Sequence, residues 1–127
     1  MDRQRVYSGA PWEQRVGYCR AIRAGAHVYV TGTVALEPDG TVHAPGDAYR
    51  QAQRCLQTID EALAKLGAGR EHVVRTRMFV VDIARWEEIG RAHAEFFGEH
   101  RPATTMVQAR LIGDEFLVEI EADAVLD

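Results

Sequence analysis

At 127 residues and 46% hydrophobic content, the chain is long enough for one compact domain, 1–127, and too short for two. A formal net charge of -4 and a pI near 5.7 give no overall basic field, which argues against general attraction to a nucleic-acid backbone. Cys19 and Cys55 are far apart and form no CxxC, the N-terminal residues lack an apolar leader, and no apolar run approaches the roughly 20 residues that span a membrane. These features lead to the expectation of a reduced, cytoplasmic protein without a membrane partner.

Residues 1–17 mix Gly9, Pro11 and Gly17 with charge, and read as a short strand or extended arm that turns into the body at Val16-Gly17-Tyr18. The stretch AHVYVTGTVAL, 26–36, has the β-branched and aromatic content of a strand, and the PDGT after it is a turn. From Tyr49 the apolar positions Tyr49, Ala52, Leu56, Ile59, Leu63 and Leu66 step by three and four. That spacing predicts an amphipathic helix of about five turns, with Asp47 near its start and Gly67 closing it.

VVRTRMFVVDI, 73–83, reads as a strand in which Val74, Thr76, Met78 and Val80 oppose Arg75, Arg77, Phe79 and Val81. RWEEIGRAHAEFF, 85–97, returns to the helical period through Trp86, Ile89, His93 and Phe96 or Phe97, and Gly98 lets the chain leave. Beyond Pro102, TTMVQARLI, 104–112, is a further strand. The last is FLVEIEADAV, 116–125, where Phe116, Val118, Ile120, Ala122 and Ala124 alternate with Leu117, Glu119, Glu121, Asp123 and Val125.

The order strands, helix, strand, helix, two strands suits an α+β domain, a mixed β-sheet covered on one face by two helices. The other face then carries Glu119, Glu121 and Asp123, with Arg75 and Arg77 available as counter-charges. Phe79, Val81, Leu117 and Val125 lie among them, which is apolar enough to suggest packing against other subunits. A solvated face crossed by ordinary ion pairs is the competing reading.

The segment RPATTMVQARLIGDEFLVEIEADAV resembles the C-terminal signature of the RidA/YjgF family, also described as L-PSP endoribonuclease-like. In that signature a Pro-Ala pair opens a strand and an apolar-Glu-apolar-Glu strand follows. The likeness extends to VGYCRAIRAGAHVYVTGTV, which resembles the family's N-terminal hairpin, and to GDAYRQAQRCLQTIDEALAKLGAG, VVRTRMFVVDI and EEIGRAHAEFFG in order. It implies a chorismate-mutase-like α+β fold, a homotrimer with ligand clefts between subunits, and hydrolysis of reactive enamines or imines to a 2-keto acid and ammonia. No cofactor or metal is implied, and the partner is a small-molecule carboxylate or imine.

Carried over by residue, the resemblance places the family's glutamate on Glu119, its tyrosine on Tyr18, and its small hydroxyl residue before a glycine on Thr31 with Gly32. The family's carboxylate-binding arginine falls on Thr104, and a polar residue of the second helix falls on Gly90. A threonine donates one hydrogen bond to a carboxylate but cannot neutralise it. Conventional 2-aminoacrylate deamination therefore does not follow from the resemblance alone.

Three functions stay open. One is a divergent imine or enamine deaminase in which Arg20 or Arg77 anchors the substrate. If its segment is extended, Arg20 shares strand parity with Tyr18, but it also reads as a solvated arginine, and Arg77 reads equally as a counter-ion of Glu119 or Glu121. A second is a non-catalytic trimer that binds a small metabolite, with Thr104 and Thr105 offering hydroxyls and Trp12, Tyr18 and Met106 apolar walls. The third is a ribonuclease, against which stand the negative charge and the lack of a basic-aromatic stripe. His27, His43, His72, His93 and His100 build no HxxxH or HExxH face, so no metal site is expected.

Overall fold

Six stretches of alternating sequence come together as one sheet in the computed structural model, which describes residues 2–127 and leaves Met1 of the expected arm outside. The strands are β1 (Arg3–Val6), β2 (Ala21–Ala24), β3 (His27–Thr33), β4 (Val73–Val80), β5 (Ala103–Gln108) and β6 (Val118–Val125). The α-helices are α1 (Pro11–Val16), α2 (Ala48–Lys65) and α3 (Trp86–Phe97). Across the sheet the order is β1-β2-β3-β6-β4-β5, and only β4 with β5 is parallel. The α3 segment supplies the crossover that a parallel pair requires. The domain is thus the mixed α+β arrangement that the alternations predict.

Asp47 caps α2 by accepting a hydrogen bond from the Arg50 N–H at 3.0 Å, an interaction that contributes about 1 kcal/mol. The expected stripe goes inside: Ala52, Leu56, Ile59 and Leu63 are fully buried, and the chain leaves past Gly67 at a φ of 78°. Removing each Leu or Ile from water contributes about 1.5–3 kcal/mol. Alongside lies α3, burying Ile89, Ala92, His93 and Phe97. The sheet answers with Val28, Val30, Met78, Val80, Val118, Ile120, Ala122 and Ala124, all buried.

The opposite face stays bare of helices. There Arg77 Nη1 donates to Glu121 at 3.0 Å and to Asp123 at 3.3 Å, so one guanidinium offsets two of the three consecutive acids. Tyr29 and Val125 remain 47% and 37% exposed beside them, which marks this face as more apolar than solvation alone would leave it.

Several details depart from the sequence reading, among them shorter strands: β3 ends at Thr33, β4 ends at Val80, and β6 begins at Val118, which leaves Phe116 and Leu117 outside it. The N-terminal arm is a strand followed by a short helix, because Pro11 starts α1 at its first position and Gly17 ends it in the left-handed region at φ 88°. Val74, expected inward, is half exposed, since a register shift between Val73 and Arg75 puts Val73 in the core instead. Trp86 is also exposed: as the first residue of α3 it precedes the part of the helix that packs. β5 stops at Gln108, because β4 has ended and the Ala109 N–H makes a last bond to Val80 O at 2.8 Å.

Candidate functional site

Glu119 stands on the bare face of β6, opposite Phe79 of β4. On its other side β3 is bulged: Val30 pairs with Ala122 and Thr33 with Ile120, so Thr31 and Gly32 together oppose the single residue Glu121. The bulge slides Gly32 under the Glu119 side chain. A Cβ at Gly32 would sit 2.3 Å from Glu119 Oε2, so only glycine lets the carboxylate lie there.

Burial pushes the proton affinity of Glu119 above that of an ordinary glutamate, while the Arg20 charge opposes the shift and Glu121 adds to it. Arg20 reaches across the bulge, donating from Nη2 to Gly32 O at 2.8 Å, and its Nε is buried without a partner among the described residues. Its guanidinium lies 6.0 Å from the centre of the Tyr18 ring, although both residues precede β2 and neither belongs to a strand. Thr31 is tied to the same segment through its hydroxyl, which donates to Cys19 O at 2.7 Å, and through its N–H, which donates to Arg20 O at 3.0 Å. Tyr18, Cys19 and Thr31 also line an open depression with Arg5, Tyr7 and Glu13. A half-buried carboxylic acid whose proton affinity is raised, beside a fixed cation, is suited both to accept and to return a proton.

The remaining residues divide by strand parity. Thr105 pairs with Arg77 and so shares the bare face, where Arg77 is committed to Glu121 and Asp123. Thr104 and Met106 point to the helix-covered side: Thr104 pairs with Thr76, and the two hydroxyls bond at 2.7 Å. Gly90 lies one turn before His93 on α3, and a Cβ there would meet nothing within 4 Å. Trp12 is apart from both groups on α1, half exposed, with the Arg15 guanidinium 5.2 Å from its ring centre. One chain therefore separates Glu119, Tyr18, Arg20, Thr31 and Gly32 from Thr104, Met106 and Gly90 by the thickness of the sheet. Only a second copy could bring the two groups to one ligand.

Two supporting side chains escape a sequence reading. Gln51 is fully buried in α2. Its amide donates to Ala44 O at 3.3 Å and to Glu115 O at 3.0 Å and accepts from the Leu117 N–H at 2.9 Å, clamping the loop that leads into β6. The signal was a polar residue on the apolar stripe, three after Ala48 and four before Cys55. Buried Glu13 likewise receives the Ser8 N–H at 3.0 Å and its hydroxyl, fixing the turn before α1. No sequence pattern announces that contact. The Cys55 thiol, buried behind the sheet, has its proton affinity pushed far up by burial and is no nucleophile.

Among the described residues, no group of three or more His, Cys, Asp or Glu side chains could hold a metal ion. No helix among them is long and apolar enough to cross a membrane. Residues 10–126 match the family model described as Endoribonuclease L-PSP. The chain is 39% identical over 122 residues to an uncharacterised protein of Streptomyces coelicolor, covering 95% of this chain and 90% of that one. It is 35% identical over 107 residues to the 3-aminoacrylate deaminase RutC of Acinetobacter baylyi, covering 84% and 85% of the two. Among solved structures it is similar to Rv2704 of Mycobacterium tuberculosis, a member of the highly conserved YjgF/YER057c/UK114 family. There the identity is 44% and the TM-score 0.90, over 98% of this chain and 100% of that one.

Proposed function

Because this chain belongs to the RidA/YjgF (endoribonuclease L-PSP) family, we propose that it hydrolyses small enamines or imines in a cleft between the subunits of a homotrimer. The observation that carries the reading is Glu119: half-buried, laid over the bare backbone of Gly32, with its proton affinity raised by burial. The related RutC of Acinetobacter baylyi is a 3-aminoacrylate deaminase, an activity of the same class. Three copies joined through their uncovered sheet faces would bury Tyr29 and Val125 and set Glu119 of one subunit beside Thr104 of the next.

In such a cleft the enamine first takes a proton at carbon from water to give the iminium ion, the protonated form of the imine. Water then adds to the C=N carbon as the Glu119 carboxylate accepts its proton, forming a carbinolamine. Glu119 returns that proton to nitrogen, the C–N bond breaks, and ammonia leaves as the carbinol oxygen loses its proton to give the carbonyl. Atoms balance as imine plus water giving carbonyl plus ammonia. Tyr18 and Thr31 line the approach, while Arg20 holds the bulge through Gly32 O and supplies the positive charge near the carboxylate.

The test is ammonia release from a panel of enamines and imines generated in situ, from 2-aminoacrylate and 3-aminoacrylate to their uncharged amides, alongside light scattering. Hydrolysis above the buffer rate by a species of three chains supports the reading. A monomer, or no acceleration with any member of the panel, overturns it. Because the carboxylate is the proton acceptor, activity should fall as pH drops through the folded-state pKa of Glu119, with that acid limb above the range of an ordinary glutamate. A limb at the ordinary value would mean that another group titrates.

Gly32→Ala should also displace the carboxylate and lower turnover by roughly a hundred-fold, since misplacements of about 1 Å cost that much. Kinetics with a crystal structure of the variant would check this, and an unmoved Glu119 with full activity would count against it.

Thr104, standing where the family places an arginine, favours a second reading: a trimer that binds a small metabolite without turning it over. Thermal-shift screening that finds stabilising ligands, together with an inert ammonia assay, would select it. A ribonuclease reading has the net charge of -4 against it.

A further inference from the structure

On the helix-covered side, three polar side chains form a line from the core to the sheet edge. His93 of α3 is 9% exposed, its ring packed on Phe97 with centroids 4.6 Å apart. His93 Nε2 lies 2.8 Å from Thr76 Oγ1, and Thr76 is fully buried. Thr76 Oγ1 donates to Thr104 Oγ1 at 2.7 Å, and Thr104, on the edge strand β5, is exposed. A hydroxyl has one proton. If Thr76 gives its proton to Thr104, it must receive one from His93, which places the imidazole proton on Nε2. The Thr104 hydroxyl, with one lone pair occupied by Thr76, is left with its own proton directed outward.

We propose that His93 and Thr76 are positioning residues that orient Thr104 as a single, uncharged hydrogen-bond donor, so that this end of the cleft takes a neutral carbonyl oxygen, an amide or ester, rather than a free carboxylate. The proposal rests on the deaminase reading only in placing Thr104 in the ligand cleft. The physical reason is one of matching. A carboxylate stripped of water needs a counter-charge or several donors, which an arginine fork supplies and one hydroxyl does not. A carbonyl oxygen is served by one well-aimed donor, and the chain of hydrogen bonds behind Thr104 polarises that donor. Burial keeps His93 neutral by lowering its proton affinity, consistent with a line that carries no charge. Space is available: Gly90, a turn before His93, leaves open the place where a side chain would stand, and partly buried Met106 offers an apolar neighbour on the same side of β5.

The experiment measures binding, not turnover, so it is independent of whether the cleft is catalytic. Matched pairs of stable keto acids and their carboxamides are titrated calorimetrically against the full-length assembled protein. The wild type should prefer the carboxamide by roughly ten-fold, about the worth of one neutral hydrogen bond. Thr104→Arg should reverse the preference. Thr76→Val should abolish it, and Thr76→Ser should restore it. In the wild type the ring nitrogens of His93 should show the Nε2–H tautomer by NMR, and in Thr76→Val that proton should lose its hydrogen-bonded shift, a change that loss of packing alone would not produce.

A wild-type preference for the acid, or a carboxamide preference untouched by Thr76→Val, overturns the proposal. An Nδ1–H tautomer does so without any ligand, should the valine variant fail to fold. A carboxamide preference together with no ammonia release from any enamine or imine of the panel would sink the deaminase reading and leave this one standing, whereas hydrolysis of imines by a protein that prefers the keto acid in calorimetry would do the reverse.

Discussion

Glu119→Gln is expected to lower imine hydrolysis by roughly a hundred- to ten-thousand-fold, the range that a positioned general base contributes, while leaving the protein at least as stable as the wild type near neutral pH. The two halves have one cause. Burial raises the proton affinity of Glu119 in the folded state, so the fold favours the neutral acid. Its contribution to stability is therefore complete below the pKa of the unfolded chain and is lost as pH rises through the higher folded value.

At neutral pH the wild type thus holds a strained carboxylate over Gly32, and the glutamine, neutral at every pH, relieves it. The melting-temperature advantage of the variant should shrink as pH falls below the ordinary glutamate range. Ammonia-release kinetics and thermal unfolding across pH read both effects. If the variant keeps its activity, the chemistry does not pass through Glu119. If it is inactive and also markedly destabilised at neutral pH, Glu119 is chiefly a structural partner of Arg20.

Gln51→Leu is the substitution expected to cost most in stability, about 2–4 kcal/mol. The leucine matches the apolar stripe of α2 better than the wild-type residue does, so hydropathy alone would call the change favourable. Yet the Gln51 side chain serves Ala44 O, Glu115 O and the Leu117 N–H through partly buried hydrogen bonds, and a leucine leaves those groups without it. Because Leu117 leads directly into β6, the loss should also loosen Glu119 and reduce turnover of the remaining folded protein. Urea unfolding at fixed protein concentration measures the first effect and initial rates the second. A variant within about 0.5 kcal/mol of the wild type would show that water takes over the clamp.

What could be read without coordinates was the part governed by local periods. Steps of three and four from Tyr49 to Leu66 lay out α2, and the alternation from Val118 to Ala124 lays out β6 with its acids turned away from the core, because side-chain direction repeats every 3.6 residues in a helix and every second residue in a strand. The resemblance to the RidA/YjgF family, and not any periodicity, is what singled out Glu119, Tyr18, Thr31 and Gly32 as a group and Thr104 as a departure from the family pattern.

What only the tertiary structure decided came from contacts between distant parts of the chain. The bulge that puts Gly32 beneath Glu119, the register shift that turns Val74 outward, the commitment of Arg77 to Glu121 and Asp123, and the separation of Glu119 from Thr104 by the sheet all depend on which strand lies beside which. Likewise Gln51 meets Leu117 across 66 positions and Thr76 meets Thr104 across 28. No periodicity reaches that far: such pairs are selected when the whole core packs and every buried polar group must find a partner.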